Sequence, residues 1–175
     1  MSEVARSQRI DEMEFYYPVS KLHSTSLRKV LDDRGFSANG VLASALAGID
    51  FDINDGYIHG YIDLVFKAKG QYWLVDYKST YLGNQLEDYR DVMLQSAMIR
   101  EHYNLQYLLY TVAVHRFLSQ RMVNYEYDTH FGGIYYLFLR GMEPTRPGSG
   151  VFFDRPSREL VESIDKLFTA QSKAI

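Results

Sequence analysis

The chain has 175 residues, 46% of them apolar and 23% charged, with a net charge of −3; this suits one folded domain and excludes a disordered chain. With no cysteine, disulfides and zinc–thiolate centres are excluded, and no apolar run reaches the ~20 residues that a membrane-spanning helix needs. A slightly acidic chain has no overall basic field to hold nucleic acid, so any phosphate chemistry must come from a local site. The opening Met1-Ser2-Glu3-Val4-Ala5-Arg6 lacks the apolar segment of a secretory signal, and a soluble, cytoplasmic protein is expected. Fifteen tyrosines raise the aromatic content, and such amphipathic rings suit half-buried faces and interfaces.

Met13, Phe15 and Tyr17 alternate with Glu12, Glu14 and Tyr16, the period-two pattern of a half-buried strand, which Pro18 is expected to end. Leu22, Leu27, Val30 and Leu31 then follow helical spacing between Ser20 and Asp33, with Gly35 as a stop. A short helix is expected near Val41–Ala47. Residues 56–67 and 71–78 are rich in strand formers and are joined by Lys67-Ala68-Lys69-Gly70, which predicts an antiparallel hairpin. From Leu86 to Met122 there is no proline or glycine, and Met98, Leu105, Leu108, Leu109, Val112 and Leu118 cluster at helical spacing. The polar stretch Arg100–Asn104 predicts a break into two helices. Gly132 to Leu139 reads as a strand buried on both faces, residues 141–150 with Pro144 and Pro147 as a loop, and a last helix begins at Pro156 and runs to about Ala170. Hairpin and alternating order together predict an α/β sandwich with a mixed sheet.

Asp63 sits in the first hairpin strand and Asp76-Tyr77-Lys78 at the end of the second. Residues two apart on a strand share a face, so Asp76 and Lys78 project together, and an antiparallel partner brings Asp63 beside them. Both aspartates have strongly apolar flanks, where an ionised carboxylate is costly unless paired or bound to a cation. Two carboxylates and a lysine suit Mg²⁺, which takes one or two carboxylates and completes its shell with water and substrate phosphate. Spacing alone favours the plainer alternative, because an Asp–Lys pair on a strand is more often a salt bridge on a solvated sheet face.

The motifs Gly60-Tyr61-Ile62-Asp63-Leu64-Val65-Phe66 and Tyr72-Trp73-Leu74-Val75-Asp76-Tyr77-Lys78-Ser79 resemble the paired signature of the PD-(D/E)xK nuclease superfamily. Tyr103-Asn104-Leu105-Gln106-Tyr107-Leu108-Leu109-Tyr110 fits the Q-x-x-x-Y helix of its RecB nuclease family, with Gln106 and Tyr110 on one helix face. The segments 12–18 and 130–141 also resemble the C-terminal nuclease domain of RecB-type subunits, so the likeness covers most of the chain in order. It implies a restriction-endonuclease-like core and one nuclease domain over residues 1–175, a fragment lacking upstream helices. It further implies Mg²⁺ (or Mn²⁺) on Asp63 and Asp76, Lys78 as catalytic lysine, and Gln106, Tyr110 and Tyr77 supporting the site or contacting DNA. An acidic residue on the first strand matches Glu12 best, with Glu14 as the alternative. The family's metal-ligating histidine lies upstream of that strand; here His23, His59, His102, His115 and His130 all lie downstream, where ordinary hydrogen-bonded imidazoles are expected. Hydrolysis of linear single- or double-stranded DNA in double-strand-break repair, with RecC-like and RecD-like subunits and the recombinase as partners, is what the resemblance implies. A nuclease-like module that binds DNA or protein without cutting is the alternative, and a stand-alone small nuclease with Glu12 filling the missing ligand position is a third.

Overall fold

A computed structural model describes residues 4–19, 22–33, 52–53 and 56–169. A five-stranded sheet forms its centre, in the order β1 (Arg9–Val19), β4 (Gly56–Ala68), β5 (Gln71–Lys78), β6 (Phe131–Phe138), β7 (Val151–Asp154). The β1–β4, β4–β5 and β6–β7 pairs are antiparallel and β5–β6 is parallel, so the sheet is mixed, as expected. β2 (Leu22–His23) and β3 (Asp52–Ile53) make a separate two-stranded ladder. The helices are α1 (Ser24–Asp33), α2 (Asp91–Arg100), α3 (Tyr103–Arg121), the short α4 (Tyr127–His130) and α5 (Arg158–Thr169). The short helix expected near residues 41–47 lies outside the described residues.

The hairpin between β4 and β5 turns on Lys69 and Gly70, with φ of 51° and 82°. Positive φ at both central residues matches the right-handed twist of the flanking strands, and glycine carries the second at no steric cost. The turn is thus shorter than the four residues expected, since Lys67 and Ala68 still pair with Tyr72 and Gln71. Pro18 does not end β1 but pairs with Tyr57 inside it. β1 is an edge strand, where a missing N–H breaks no ladder on its outer side.

Period two breaks at one place on the two adjoining strands. Ile62 and Val65, three residues apart, both belong to the main core, whereas Leu64 belongs to a small cluster with Val75 and Leu137. Strict alternation would put Ile62 and Leu64 on one face. The interruption falls at Asp63, and opposite it Glu12 has a left-handed backbone with φ of 51°. Pairing resumes on either side, at Asp11–Leu64 and Met13–Ile62. The sheet therefore changes phase at the position that carries the first aspartate.

All five α-helices among the described residues contribute to the main core: Leu27 and Leu31 from α1, Leu94 and Met98 from α2, Leu108 and Val112 from α3, Tyr127 from α4, Ile164 and Phe168 from α5. α2 and α3 are the two helices expected from the break near residue 100, and His102, with φ of 56°, makes the corner. β6 is buried along nearly its whole length, in keeping with its apolar sequence and its place between two strands. Pro156 precedes α5 rather than opening it; Ser157 Oγ accepts the Leu160 N–H at 3.2 Å as the cap. Among the described residues, no helix is long and apolar enough to cross a membrane.

Candidate active site

Asp76 and Lys78 lie at the end of β5, on the face that meets α3. The ion pair between Lys78 Nζ and Asp76 Oδ2 measures 2.6 Å, and Asp76 is only 3% exposed. The expectation of a solvated sheet-face salt bridge is therefore overturned: this pair is inside. Asp63 reaches the same place by a different route. The β4–β5 ladder ends at Leu64–Val75, and beyond it Asp63 Oδ2 accepts the Tyr77 N–H at 2.8 Å. A side-chain oxygen replaces a backbone acceptor just where the strands part, which fixes the carboxylate beside β5.

Lys78 is held from three sides. Its ammonium donates to Gln106 Oε1 at 2.9 Å and lies 4.1 Å from the Tyr103 ring centre and 5.0 Å from that of Tyr136. Gln106 Oε1 also accepts from the Tyr136 hydroxyl at 2.9 Å, while its Nε2 donates to the Tyr110 hydroxyl at 2.9 Å. Both ends of the amide are thus engaged, and the lysine is left little freedom to turn. Tyr103 is anchored in turn by a 3.0 Å contact between its hydroxyl and Thr80 Oγ1.

The electrostatics follow from burial. Desolvation raises the Asp76 carboxyl above the ordinary carboxylate range, Lys78 opposes the rise, and Asp63 adds to it. Burial, with help from the two aspartates, pushes the Tyr110 phenol up to about 12. That hydroxyl is neutral at physiological pH and keeps its proton.

The residues present suit a hard divalent cation. Asp76 Oδ2 is buried with no aligned hydrogen-bond donor and meets the Lys78 ammonium at 2.6 Å. Such an oxygen, beside a second carboxylate, has unused capacity for a cation. Among the described residues, no group of three His, Cys, Asp or Glu side chains is placed to hold a metal; Asp63 and Asp76 are the carboxylates that these elements would offer to a cation.

The remaining expected residues divide. Glu12 stands opposite Asp63 in the β1–β4 register and is exposed. Glu14 is committed elsewhere, with its Oε1 taking His59 Nε2 at 2.9 Å and the Tyr61 hydroxyl at 3.1 Å. Tyr77 enters the site through its backbone N–H; its side chain is 39% exposed. His115 and His130 have partners away from the aspartates, Tyr125 and Glu126. Tyr103 and Tyr136 were not foreseen. Tyr103 precedes Gln106 by three and Tyr110 by seven residues, a spacing that puts it on their helix face. Tyr136 gives no such signal, since only the parallel pairing with Asp76 brings it in.

A family model described as the PD-(D/E)XK nuclease superfamily matches residues 4–174. The RecBCD enzyme subunit RecB of Haemophilus influenzae is 41% identical over 172 residues, covering 96% of this chain and 13% of the relative. That of Escherichia coli K12 is 37% identical over 173 residues, 98% of this chain and 14% of the relative. The Mycobacterium tuberculosis H37Rv subunit is 43% identical over 119 residues, 64% of this chain and 11% of the relative. The chain thus spans about one seventh of the length of the relatives it matches most fully.

Proposed function

Because this chain belongs to the PD-(D/E)XK nuclease superfamily, we propose that it hydrolyses DNA phosphodiester bonds with a divalent cation, Mg²⁺ or Mn²⁺, held between Asp63 and Asp76. The observation that carries the reading is the buried Asp76–Lys78 pair, 2.6 Å apart, with the Asp63 carboxylate fixed next to it by the Tyr77 N–H. When bound, the cation would polarise the scissile phosphate and lower the pKa of a water to give a nucleophile near neutral pH.

The protein's own groups do the rest. In the resting arrangement Lys78 neutralises Asp76, so a buried carboxylate is kept from standing alone. With a cation bound at Asp63 and Asp76, Asp76 would no longer need Lys78 for neutralisation, and the Lys78 ammonium would be available to the phosphate or the attacking water. Gln106 Oε1 and the Tyr103 and Tyr136 rings hold it within reach while it changes partners. A fixed ammonium at the position where charge develops is the arrangement that stabilises a transition state most. Glu12, which falls level with Asp63 between the pairs Asp11–Leu64 and Met13–Ile62, would orient the attacking water from the open side.

On the same grounds we assign this domain to a RecB-like helicase–nuclease that processes linear DNA ends in double-strand-break repair. RecC-like and RecD-like subunits and a recombinase would be the partners of the whole assembly. Support for this comes from the identity with RecB subunits. Incubation of the purified chain with linear single- and double-stranded DNA and Mg²⁺ tests it. Cleavage that requires the metal and disappears in Asp76→Ala is expected; cleavage persisting in that variant removes the assignment.

A further inference from the structure

Beyond Lys78 the chain leaves β5 as an irregular segment, Ser79 to Leu82, that is pinned along its length. The Ser79 carbonyl accepts the Arg140 Nε–H at 2.8 Å, Thr80 Oγ1 meets the Tyr103 hydroxyl at 3.0 Å, and the Leu82 N–H donates to the Tyr89 hydroxyl at 3.1 Å. Arg140 stands in the single turn Leu139–Gly141 that follows β6. β5 and β6 run parallel and are in register at Lys78 and Phe138, so both end on the same side of the sheet. The carboxyl ends of parallel strands are where such sheets bind ligands. Gly141 seats the turn: it is buried, and a Cβ on it would overlap the Tyr89 side chain, itself 2% exposed. Arg140 therefore projects from a fixed base.

Its charge is uncommitted. Arg140 is exposed, and its contacts are the Ser79 carbonyl and the exposed Tyr81 ring, 6.0 Å from Cζ. It has no carboxylate partner among the described residues. Neighbouring cations differ: Arg90 and Arg146 both reach Glu87, at 3.4 and 3.0 Å, and Lys78 is paired with Asp76. In a chain of net charge −3, a guanidinium held by the backbone and left without a counter-charge is a ready anion contact. With Nε spent on Ser79, the Nη1 and Nη2 pair remains, the end-on fork that matches two oxygens of a phosphate.

We infer that Arg140 binds the DNA strand by the phosphate next to the one being cut. The inference rests on the nuclease reading and deepens it by naming a residue that positions the substrate. Lys78 serves the scissile phosphate, and Arg140 is hydrogen-bonded to the residue that follows Lys78, whose Cα is only ~3.8 Å further along the chain. A phosphate contact carries no base information, so it sets the register of the strand without selecting its sequence.

The salt dependence of binding tests this. A short fluorescein-labelled single-stranded oligonucleotide is titrated by fluorescence anisotropy in Ca²⁺ over a series of NaCl concentrations. Wild type is compared with Arg140→Gln, which keeps a donor for the Ser79 carbonyl but carries no charge. One phosphate contact on a single strand contributes about 0.7 to the slope of log affinity against log salt, and the variant should lose that much. Its affinity at low salt should fall on the order of tenfold, as for a lost hydrogen bond to a charged group. Arg140→Met is the second neutral variant should Arg140→Gln fail to unfold cooperatively in urea. A merely structural role would reduce the folded fraction and leave the slope unchanged. An unchanged slope in a folded variant therefore overturns the inference, as does wild-type binding without salt dependence. No cleavage is needed, so this result stands apart from the nuclease reading. Cleavage in Mg²⁺ of strands carrying one neutral methylphosphonate then locates the contact. Besides the loss at the modified linkage, wild type should show a gap in cutting at the neighbouring position, and Arg140→Gln should cut there. A neighbouring gap that is missing in wild type, or that persists in the variant, overturns the inference.

Discussion

Replacing Lys78 by methionine leaves the Asp76 carboxylate in the interior without its counter-charge. Asp76 is 3% exposed, and the Lys78 side chain 12% exposed, so water replaces little of what is lost. Breaking a buried pair by removing one partner costs on the order of 3–5 kcal/mol; with this limited access to water, about 3 kcal/mol is expected. At roughly 2–4 °C per kcal/mol for a domain of this size, the melting temperature should drop by about 6–12 °C at pH 8. The sign with pH is definite. Asp76 is already raised above its ordinary value by burial, and without Lys78 it rises further, so the folded state binds a proton more readily than the unfolded chain. Stability should therefore increase as pH falls through the folded-state value, and the deficit of the variant should shrink toward pH 5. Asp76→Leu combined with Lys78→Met should recover most of the loss, because a well-packed apolar pair replaces a buried ionic one at little cost. Urea unfolding at pH 5 and pH 8 on wild type, single and double variants measures all of this. A single variant as stable as wild type at pH 8, or a double variant no better than the single one, would refute the reasoning.

Other residues carry their own expectations. Gln106→Leu orphans the buried Tyr136 hydroxyl and frees Lys78, and should cost about 1–3 kcal/mol in urea unfolding and slow cleavage at saturating DNA, while divalent binding by calorimetry stays near wild type. Affinity for Mg²⁺ should weaken on acidification at a pH above the ordinary carboxylate range, since Asp76 must lose its proton to bind; calorimetry from pH 8 downward showing constant affinity into that range contradicts it. Glu12→Gly should stabilise the fold by about 1 kcal/mol, since the backbone there has φ of 51°, and should slow cleavage if the carboxylate acts; equal or lower stability removes the strain argument.

How far the sequence revealed this site depends on how local each feature is. The β4–β5 hairpin was legible because its strand formers flank a Lys-Gly turn, and that hairpin alone brings Asp63 toward Asp76. The corner between α2 and α3 was legible from a polar stretch inside an apolar helical pattern. Long-range pairing hid the rest. β7 is only four residues and is held by β6, so nothing in Val151-Phe152-Phe153-Asp154 distinguishes it from a loop end. Pro18 reads as a strand terminator unless β1 is known to be an edge. The phase change at Glu12 and Asp63 leaves no mark in either segment, because it is a property of the pair. Burial of the Asp76–Lys78 pair is likewise tertiary: a D-x-K spacing is the same on an open sheet, and α3 with Tyr136 makes the difference.

The central claim is that Asp63 and Asp76 bind the cation and Lys78 acts on the phosphate, two roles that one paired measurement separates. Mg²⁺ binding by calorimetry and single-turnover cleavage of linear DNA should be recorded on wild type, Asp76→Ala and Lys78→Ala. Asp76→Ala should lose both binding and cleavage, whereas Lys78→Ala should keep the cation but lose at least about a hundredfold in rate, the scale of a lost electrostatic donor. Undiminished Mg²⁺ affinity in Asp76→Ala, or unchanged cleavage by Lys78→Ala, would contradict it.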